Sequence, residues 1–322
     1  MKITIDTQDE GSRADKFVEK KLKEQGFAQA SRNMIQDSVS GGLTVNGSSV
    51  KNSYRLKIGD EVKIDKQYWE TFFQAESLSE EIVPQEGNLN ILYEDNDIIV
   101  LFKPKGLVVH PGVGNKKGTL ANYIKYYLHS KNDFDINMDK AGIVHRLDKG
   151  VSGIMAIAKN RAVQDSLKEQ FAKRQVEKIY LAKVVKFKAS ELATASEGNI
   201  EDVLGELADR KVDYNKWFEA SGYIGRSNID RYKMEFKLYE FPGSKSAKSY
   251  ILPVNDNQIL IKIVTGRMHQ IRATLYYYGY YIDGDLLYSP RGKCSSEKIM
   301  LESIYLSFIH PVTQKRMFFI NK

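Results

Sequence analysis

Gly142-Ile143-Val144-His145-Arg146-Leu147-Asp148-Lys149-Gly150-Val151-Ser152-Gly153-Ile154-Met155-Ala156-Ile157-Ala158 is the stretch on which the fold turns. Two apolar runs, Gly142 to Val144 and Ile154 to Ala158, are short enough to be buried strands, so Asp148 falls where a strand breaks into a loop. Loops held by a rigid sheet are where reacting groups concentrate. A lone Asp at such a bend can also do no more than cap a turn with its own backbone. The segments on either side have to decide between the two.

Outward from this stretch, strands predominate. Ile98-Ile99-Val100-Leu101-Phe102 is apolar throughout, and Ile259, Ile261 and Ile263 alternate with Leu260, Lys262 and Val264. Arg161 to Arg174 reads as an amphipathic helix, because Val163, Leu167 and Phe171 recur at four-residue steps. A second helix is expected from about His269 to Tyr278, closed by Gly279. The class is therefore α+β, a mixed and mainly antiparallel sheet with flanking helices. Segment 189–232, with clustered Asp and Glu and with Gly222 and Gly225, is the least legible part and reads as insertions.

Residues 1–64 read as a small α+β domain of their own. Helices are expected from Arg13 to Gln25 and from Ser31 to Val39, with Ser31 as N-cap. Gly41-Gly42 and short strands around Leu43-Thr44-Val45 and Glu61-Val62-Lys63-Ile64 follow, and Asn46-Gly47 signals a hairpin. Residues 65–87 are acidic and irregular, which suits a linker, although Tyr68, Trp69, Phe72 and Phe73 imply that part of it docks somewhere. The main domain then runs over 88–322.

A chain of 322 residues with 42% hydrophobic content can bury one large core and a satellite. Cys294 is the single cysteine, which excludes an internal disulfide framework and a thiolate zinc module. The five His residues show no ligand spacing such as HExxH, so no metal site is expected. Neither a signal peptide nor the ~18 apolar residues of a membrane span is found, and a cytoplasmic location is expected. The net charge is +7, and its distribution is uneven: residues 91–322 carry 36 Lys and Arg against 26 Asp and Glu, residues 65–90 only 1 against 6. A positive field on the large domain points to a polyanion as partner.

In this setting the chain resembles the RluA-type RNA pseudouridine synthases, whose signature is His-Arg-Leu-Asp, two variable residues, then Thr-Ser-Gly. Lys103-Pro104-Lys105-Gly106, Glu177-Lys178-Ile179-Tyr180-Leu181-Ala182-Lys183-Val184, Gly243-Ser244-Lys245-Ser246-Ala247 and Thr265-Gly266-Arg267-Met268-His269-Gln270-Ile271-Arg272 are similar to further family stretches. So are Gly284-Asp285-Leu286-Leu287-Tyr288 and Leu306-Ser307-Phe308-Ile309-His310-Pro311-Val312-Thr313, all in family order. Ser12-Arg13-Ala14-Asp15-Lys16-Phe17, Ser31-Arg32, Val45-Asn46-Gly47 and Gly59-Asp60 resemble the small S-four RNA-binding domain often fused to these enzymes. The sequence departs from the pattern at Gly150, Val151, Thr274 and Glu302-Ser303.

The resemblance implies the pseudouridine synthase fold and a cofactor-free, metal-free isomerisation of uridine in structured RNA, with large-subunit ribosomal RNA as target and tRNA as the nearest competitor. Asp148 is the implied reacting carboxylate, which attacks the sugar or draws off a ribose proton. Complete burial would raise its pKa by up to ~3–5 units and silence it, so a cation must offset that. Arg267 matches the family's Arg that pairs with it. Tyr180 matches an aromatic that lies against the flipped uracil and takes the proton from the ring carbon. Arg146 matches a residue that fills the gap the nucleotide leaves, or else touches phosphate. His145, His269 and His110 read as hydrogen-bonded scaffold. In the small domain Arg13, Lys16, Arg32 and the Gly41-Gly42 turn are implied to face RNA. A monomer is expected, with no membrane partner. A non-catalytic RNA-binding assembly factor, or a metal-dependent RNA hydrolase, would be the readings from other classes.

Overall fold

The computed structural model describes residues 1–321 apart from 29, 36, 37, 80, 81, 113, 114, 132–134, 136, 137, 195–198, 210, 291 and 292. The chain divides into two compact units, Met1–Glu81 and Ile82–Lys322.

In the first unit, β1 (Lys2–Thr4), β2 (Leu43–Val45), β3 (Ser48–Ser49) and β4 (Glu61–Ile64) form an antiparallel sheet in the order β1-β4-β2-β3. Helices α1 (Ala14–Glu24), α2 (Arg32–Ile35), α3 (Val39–Gly42) and α4 (Lys66–Ser79) accompany it. α1 turns Phe17, Val18 and Leu22 inward, onto Ile35, Leu43, Leu56, Val62 and Ile64. The single helix expected over Ser31–Val39 is two short helices, and residues 36 and 37 between them lie outside the described set.

The segment expected as a linker begins instead with α4. Tyr68, Trp69, Phe72 and Phe73 recur at the spacing of one helical face. That face closes the small core: Trp69 is fully buried and its indole N–H donates to the Gly42 carbonyl at 3.1 Å. Gly41 and Gly42 serve this packing rather than an open turn, because a Cβ at either position would overlap the Tyr68 or Trp69 ring.

The second unit is built on a sheet that has 11 strands among the described residues. They are β5 (Asn90–Glu94), β6 (Ile98–Lys103), β7 (Ser152–Ala158), β8 (Glu177–Lys186), β9 (Phe218–Arg226), β10 (Met234–Lys237), β11 (Lys245–Asn255), β12 (Gln258–Ile263), β13 (Tyr280–Ile282), β14 (Leu301–Ile309) and β15 (Arg316–Ile320). The order is β10-β9-β11-β12-β8-β14-β7-β6-β5, with β13 on β8 and β15 on β14. Of these pairings only β14 with β7 is parallel, so the sheet is mixed and mainly antiparallel. Where those two strands meet, Gly153 has φ +136° and a Cβ there would run into the Ser303 backbone. The glycine of Val151-Ser152-Gly153 is thus what lets β14 come alongside.

Helices α5 (Leu120–Ser130), α6 (Arg161–Ala172), α7 (Ile200–Asp209) and α8 (Gln270–Tyr277) flank the sheet. α6 starts at Asn160, whose side chain accepts from the Val163 N–H, and buries Val163 and Leu167 as the four-residue spacing predicts. β6 and β7 are buried along nearly their whole length. The run Gly142 to Val144, expected as a strand, makes a single bridge between Ile143 and Ile157. The illegible segment 189–232 holds α7 and strand β9, whose polar sequences hide their buried stripes: Val203, Leu207, Ala220 and Ile224. Among the described residues no helix is long and apolar enough to cross a membrane.

Candidate active site

Asp148 sits in the loop that feeds β7, with its carbonyl accepting from the Val151 N–H at 3.0 Å. Gly106, in the turn after β6, staples this loop, its N–H donating to the Lys149 carbonyl at 2.8 Å. The Lys103 ammonium, at the end of β6, donates to the carbonyls of Pro104 (2.8 Å) and Leu107 (2.9 Å) in that turn and reaches the Lys149 carbonyl at 3.5 Å. Lys103 is fully buried. Burial pulls its pKa down to about 8, and the nearby Asp148 carboxylate opposes that fall. Lys103 therefore remains cationic near neutral pH and supplies positive charge behind Asp148.

In front of Asp148 opens a cavity of about 780 Å³, lined among others by Arg146, Asp148, Lys178, Tyr180, Arg267 and Arg272. That volume is ample for a nucleotide-sized ligand. Asp148, Tyr180, Arg267 and Arg146 thus meet around one space, as the sequence led us to expect. Two details differ. The Asp148 side chain is 39% exposed, not buried, because it stands at the wall of an open cavity. Its cationic neighbour is Arg272, whose Nη1 lies 3.9 Å from Oδ2: ion-pair range, beyond hydrogen-bond length.

Arg267, to which the sequence assigned that pairing, is committed elsewhere. It lies in the turn between β12 and α8, where its Nε donates to the Ser246 carbonyl of β11 at 2.9 Å and its backbone N–H to Gln270 Oε1 at 3.0 Å. Arg272 stands on the first turn of α8, and buried Asp285 receives its Nε and Nη2, each at 2.7 Å. Asp285 also accepts from the backbone N–H groups of Leu287 and Tyr288, so both ends of this fork are fixed. The Tyr288 ring lies 4.9 Å from the guanidinium carbon. Asp285 was visible in sequence only as part of Gly284-Asp285-Leu286-Leu287-Tyr288, and its acceptor role follows from the fold.

Tyr180 is carried by β8 between Ser303 of β14 and Ile261 of β12. Its phenol is held well above the ordinary range, by burial first and then by the Asp148 charge. The neutral phenol is accordingly the form present at neutral pH, a flat wall for a base. Two residues earlier on the same strand, Lys178 also lines the cavity, 5.2 Å from the Phe171 ring, with burial lowering it to about 8. Arg146 is exposed at the rim.

His145 accepts from the Ala156 N–H through Nε2 at 3.0 Å and stacks on Phe171 at 4.7 Å. Burial, then the Lys178 charge, pushes its pKa down to about 3, so it is a neutral brace. Asp95, Asp97 and His310 bring possible metal-ligand atoms within 4.8 Å of one another. However, His310 Nδ1 accepts from the Val312 and Thr313 N–H groups, which puts its proton on Nε2, 3.0 Å from Asp95. This trio is a latch between β5 and the end of β14.

In the first unit Arg13 and Arg32 converge on buried Asp15, with Nη2 at 2.8 Å and Nε at 3.0 Å. Burial alone would raise the Asp15 pKa, but the two guanidiniums overcome it and hold the carboxyl below its usual range. Lys16 beside them is exposed.

Residues 97–277 match the family model described as RNA pseudouridylate synthase. The chain is 32% identical to an uncharacterised RNA pseudouridine synthase of Aquifex aeolicus, over 98% of this chain and 92% of that one. It is 29% identical to the ribosomal large subunit pseudouridine synthase D of Haemophilus influenzae, over 90% and 83% of the two chains. Among solved structures, the human RNA pseudouridylate synthase domain containing 1 shares the fold with a TM-score of 0.51 at 21% identity, covering 74% of this chain and 86% of that one.

Proposed function

Since this chain belongs to the RNA pseudouridylate synthase family, we propose that it converts uridine to pseudouridine in large-subunit ribosomal RNA, with Asp148 as the reacting carboxylate. The observation that carries the assignment of Asp148 is its place in the cavity between Arg272, at 3.9 Å, and the buried Lys103 and Tyr180.

In the reaction the bond from ribose C1′ to uracil N1 breaks, a bond from C1′ to C5 forms, the C5 proton passes to solvent and N1 takes up a proton in its place. Nothing is oxidised or reduced. Both routes open to Asp148, attack at C1′ or removal of a ribose proton, begin from the carboxylate. RNA seated over the cavity would strip water from this carboxylate. Arg272 at 3.9 Å and the buried Lys103 then stand as the cations that face its charge in place of water. A uridine must leave its stack to reach Asp148. Tyr180 lines one face of the flipped base, and Arg146 at the rim fills its place or contacts phosphate.

Arg267 holds its backbone partner with Nε and turns its remaining donors to phosphate. The first unit acts as an S-four-like RNA-binding domain, with Lys16 and the outer edges of Arg13 and Arg32 on phosphate, which positions RNA without reading it. On this reading the protein works as a monomer in the cytoplasm.

The test is tritium release from transcripts labelled at uracil C5, in EDTA, with Asp148→Asn as control. Release from ribosomal transcripts by the native protein alone supports this reading, and release from tRNA alone moves the target. Tight binding without release leaves an assembly factor. EDTA-sensitive strand cleavage would indicate a hydrolase.

A further inference from the structure

From the reacting centre an aromatic path runs outward to the surface. The Arg272 guanidinium rests on Tyr288, whose ring centroid is 5.9 Å from that of Tyr276. Tyr276 in turn stacks on Phe187 at 5.0 Å and 29°. Phe187 and Tyr276 are 39% and 38% exposed, so each keeps an open face. The fold fixes this arrangement: Phe187 follows β8 and its N–H donates to the Gly279 carbonyl, just past α8, at 2.9 Å. β8 thereby carries Tyr180 in the cavity and leads to Phe187 about 24 Å further along, at the ordinary strand rise.

Cations accompany the rings. Lys233 lies 5.9 Å from the Tyr276 centroid and 5.8 Å from that of Tyr288, and Lys188 lies 5.9 Å from Phe187. Among the described residues neither lysine makes an ion pair. A protein partner would have to bury these ammonium groups in an interface core, where charge is depleted. Single-stranded RNA instead offers bases to the rings and phosphates to the lysines.

On the isomerase reading above, we propose that Phe187, Tyr276, Lys188 and Lys233 form a stacking track for the unpaired nucleotides that flank the target uridine. The track is tied to the cavity by contact: Arg272 lines the cavity and rests on buried Tyr288, which packs against Tyr276.

The test uses the full-length chain with Phe187→Leu and Tyr276→Leu combined, which keeps apolar bulk and removes the rings. The probe is a fluorescein-labelled single-stranded RNA, with a duplex of equal length as control. Loss of stacking should weaken single-strand binding about fivefold to a hundredfold, leave duplex binding within twofold, and leave the melting temperature nearly unchanged. If the double variant fails to fold, Lys188→Ala with Lys233→Ala should lower the salt slope of single-strand binding by about 1.4, at ≈0.7 per phosphate. Single-strand affinity unchanged in a folded ring variant, or a salt slope unchanged in the lysine variant, overturns the track. Tritium release reports separately: a native protein that binds through the track yet releases none overturns the isomerase reading alone.

Discussion

Arg272 approaches Asp148 to 3.9 Å while giving its two shortest hydrogen bonds to Asp285. Asp285 has nothing to offer the substrate; it aims the guanidinium. Asp285→Asn keeps the shape and removes the charge, so Arg272 should loosen. Misplacement of this order costs up to about 100-fold in rate, and the weakened charge-assisted bonds about 1–3 kcal/mol in stability. Single-turnover kinetics at saturating RNA, alongside urea unfolding, would check both. A normal rate in the destabilised variant would mean that Arg272 needs no such support.

The two arginines of Thr265–Arg272 should respond differently to the same change. A lysine cannot span the two Asp285 oxygens and still face Asp148, so Arg272→Lys should reduce kcat by about 100-fold or more. Arg267→Lys leaves a cation at the rim, and its smaller loss should fall mostly in KM. Steady-state kinetics on one transcript separate them. If the pattern is reversed, Arg267 is the partner of Asp148 in the RNA-bound state.

What could be read from sequence here, and what could not, follows from how local each signal is. Asp148 and Tyr180 are legible as candidates because the motifs that carry the family resemblance are contiguous: His145-Arg146-Leu147-Asp148 for one, Lys178-Ile179-Tyr180-Leu181-Ala182 for the other. The choice between Arg267 and Arg272 rests on Asp285, which is brought to α8 by the chain's return through β13, and no spacing within Thr265–Arg272 encodes that. Lys103 is subtler. A Lys at a strand end reads as exposed, and only the assembled turn shows its ammonium enclosed by carbonyls. The helix over Lys66–Ser79 was legible, since Tyr68, Trp69, Phe72 and Phe73 mark one face, but the surrounding acidic composition drew the reading toward a linker.

Trp69 gives that helix a measurable weight. Its ring is fully buried in the core of the first unit and its N–H bonds to Gly42, so Trp69→Ala removes both packing and a hydrogen bond. A loss of about 3–5 kcal/mol is expected. Amide hydrogen exchange should register it in β2 and β4, leaving β7 of the second unit protected as before. Equal loosening of both units would show that they unfold as one, and no loosening that the helix merely rests on the core.

Lys103 ties activity to pH with a sign opposite to that of stability. Burial lowers its pKa from 10.5 to about 8 in the folded chain, against the opposing pull of Asp148. Below about pH 8 the ammonium supports the Asp148 anion, and above it that support fades, so turnover should fall along an alkaline limb near pH 8. The unfolded chain, by contrast, holds the Lys103 proton up to its ordinary range. Between the two values it binds more protons than the folded chain, and this group's contribution to stability rises with pH, by at most ~1.4 kcal/mol per pH unit. Lys103→Met should therefore give a rate that is low and nearly flat between about pH 7 and pH 10, and should erase the rise in stability. Lys178 is also lowered to about 8 by burial and lines the same cavity, so Lys178→Met is the necessary companion. An alkaline limb that survives in Lys103→Met and vanishes in Lys178→Met would transfer the effect to the strand that carries Tyr180.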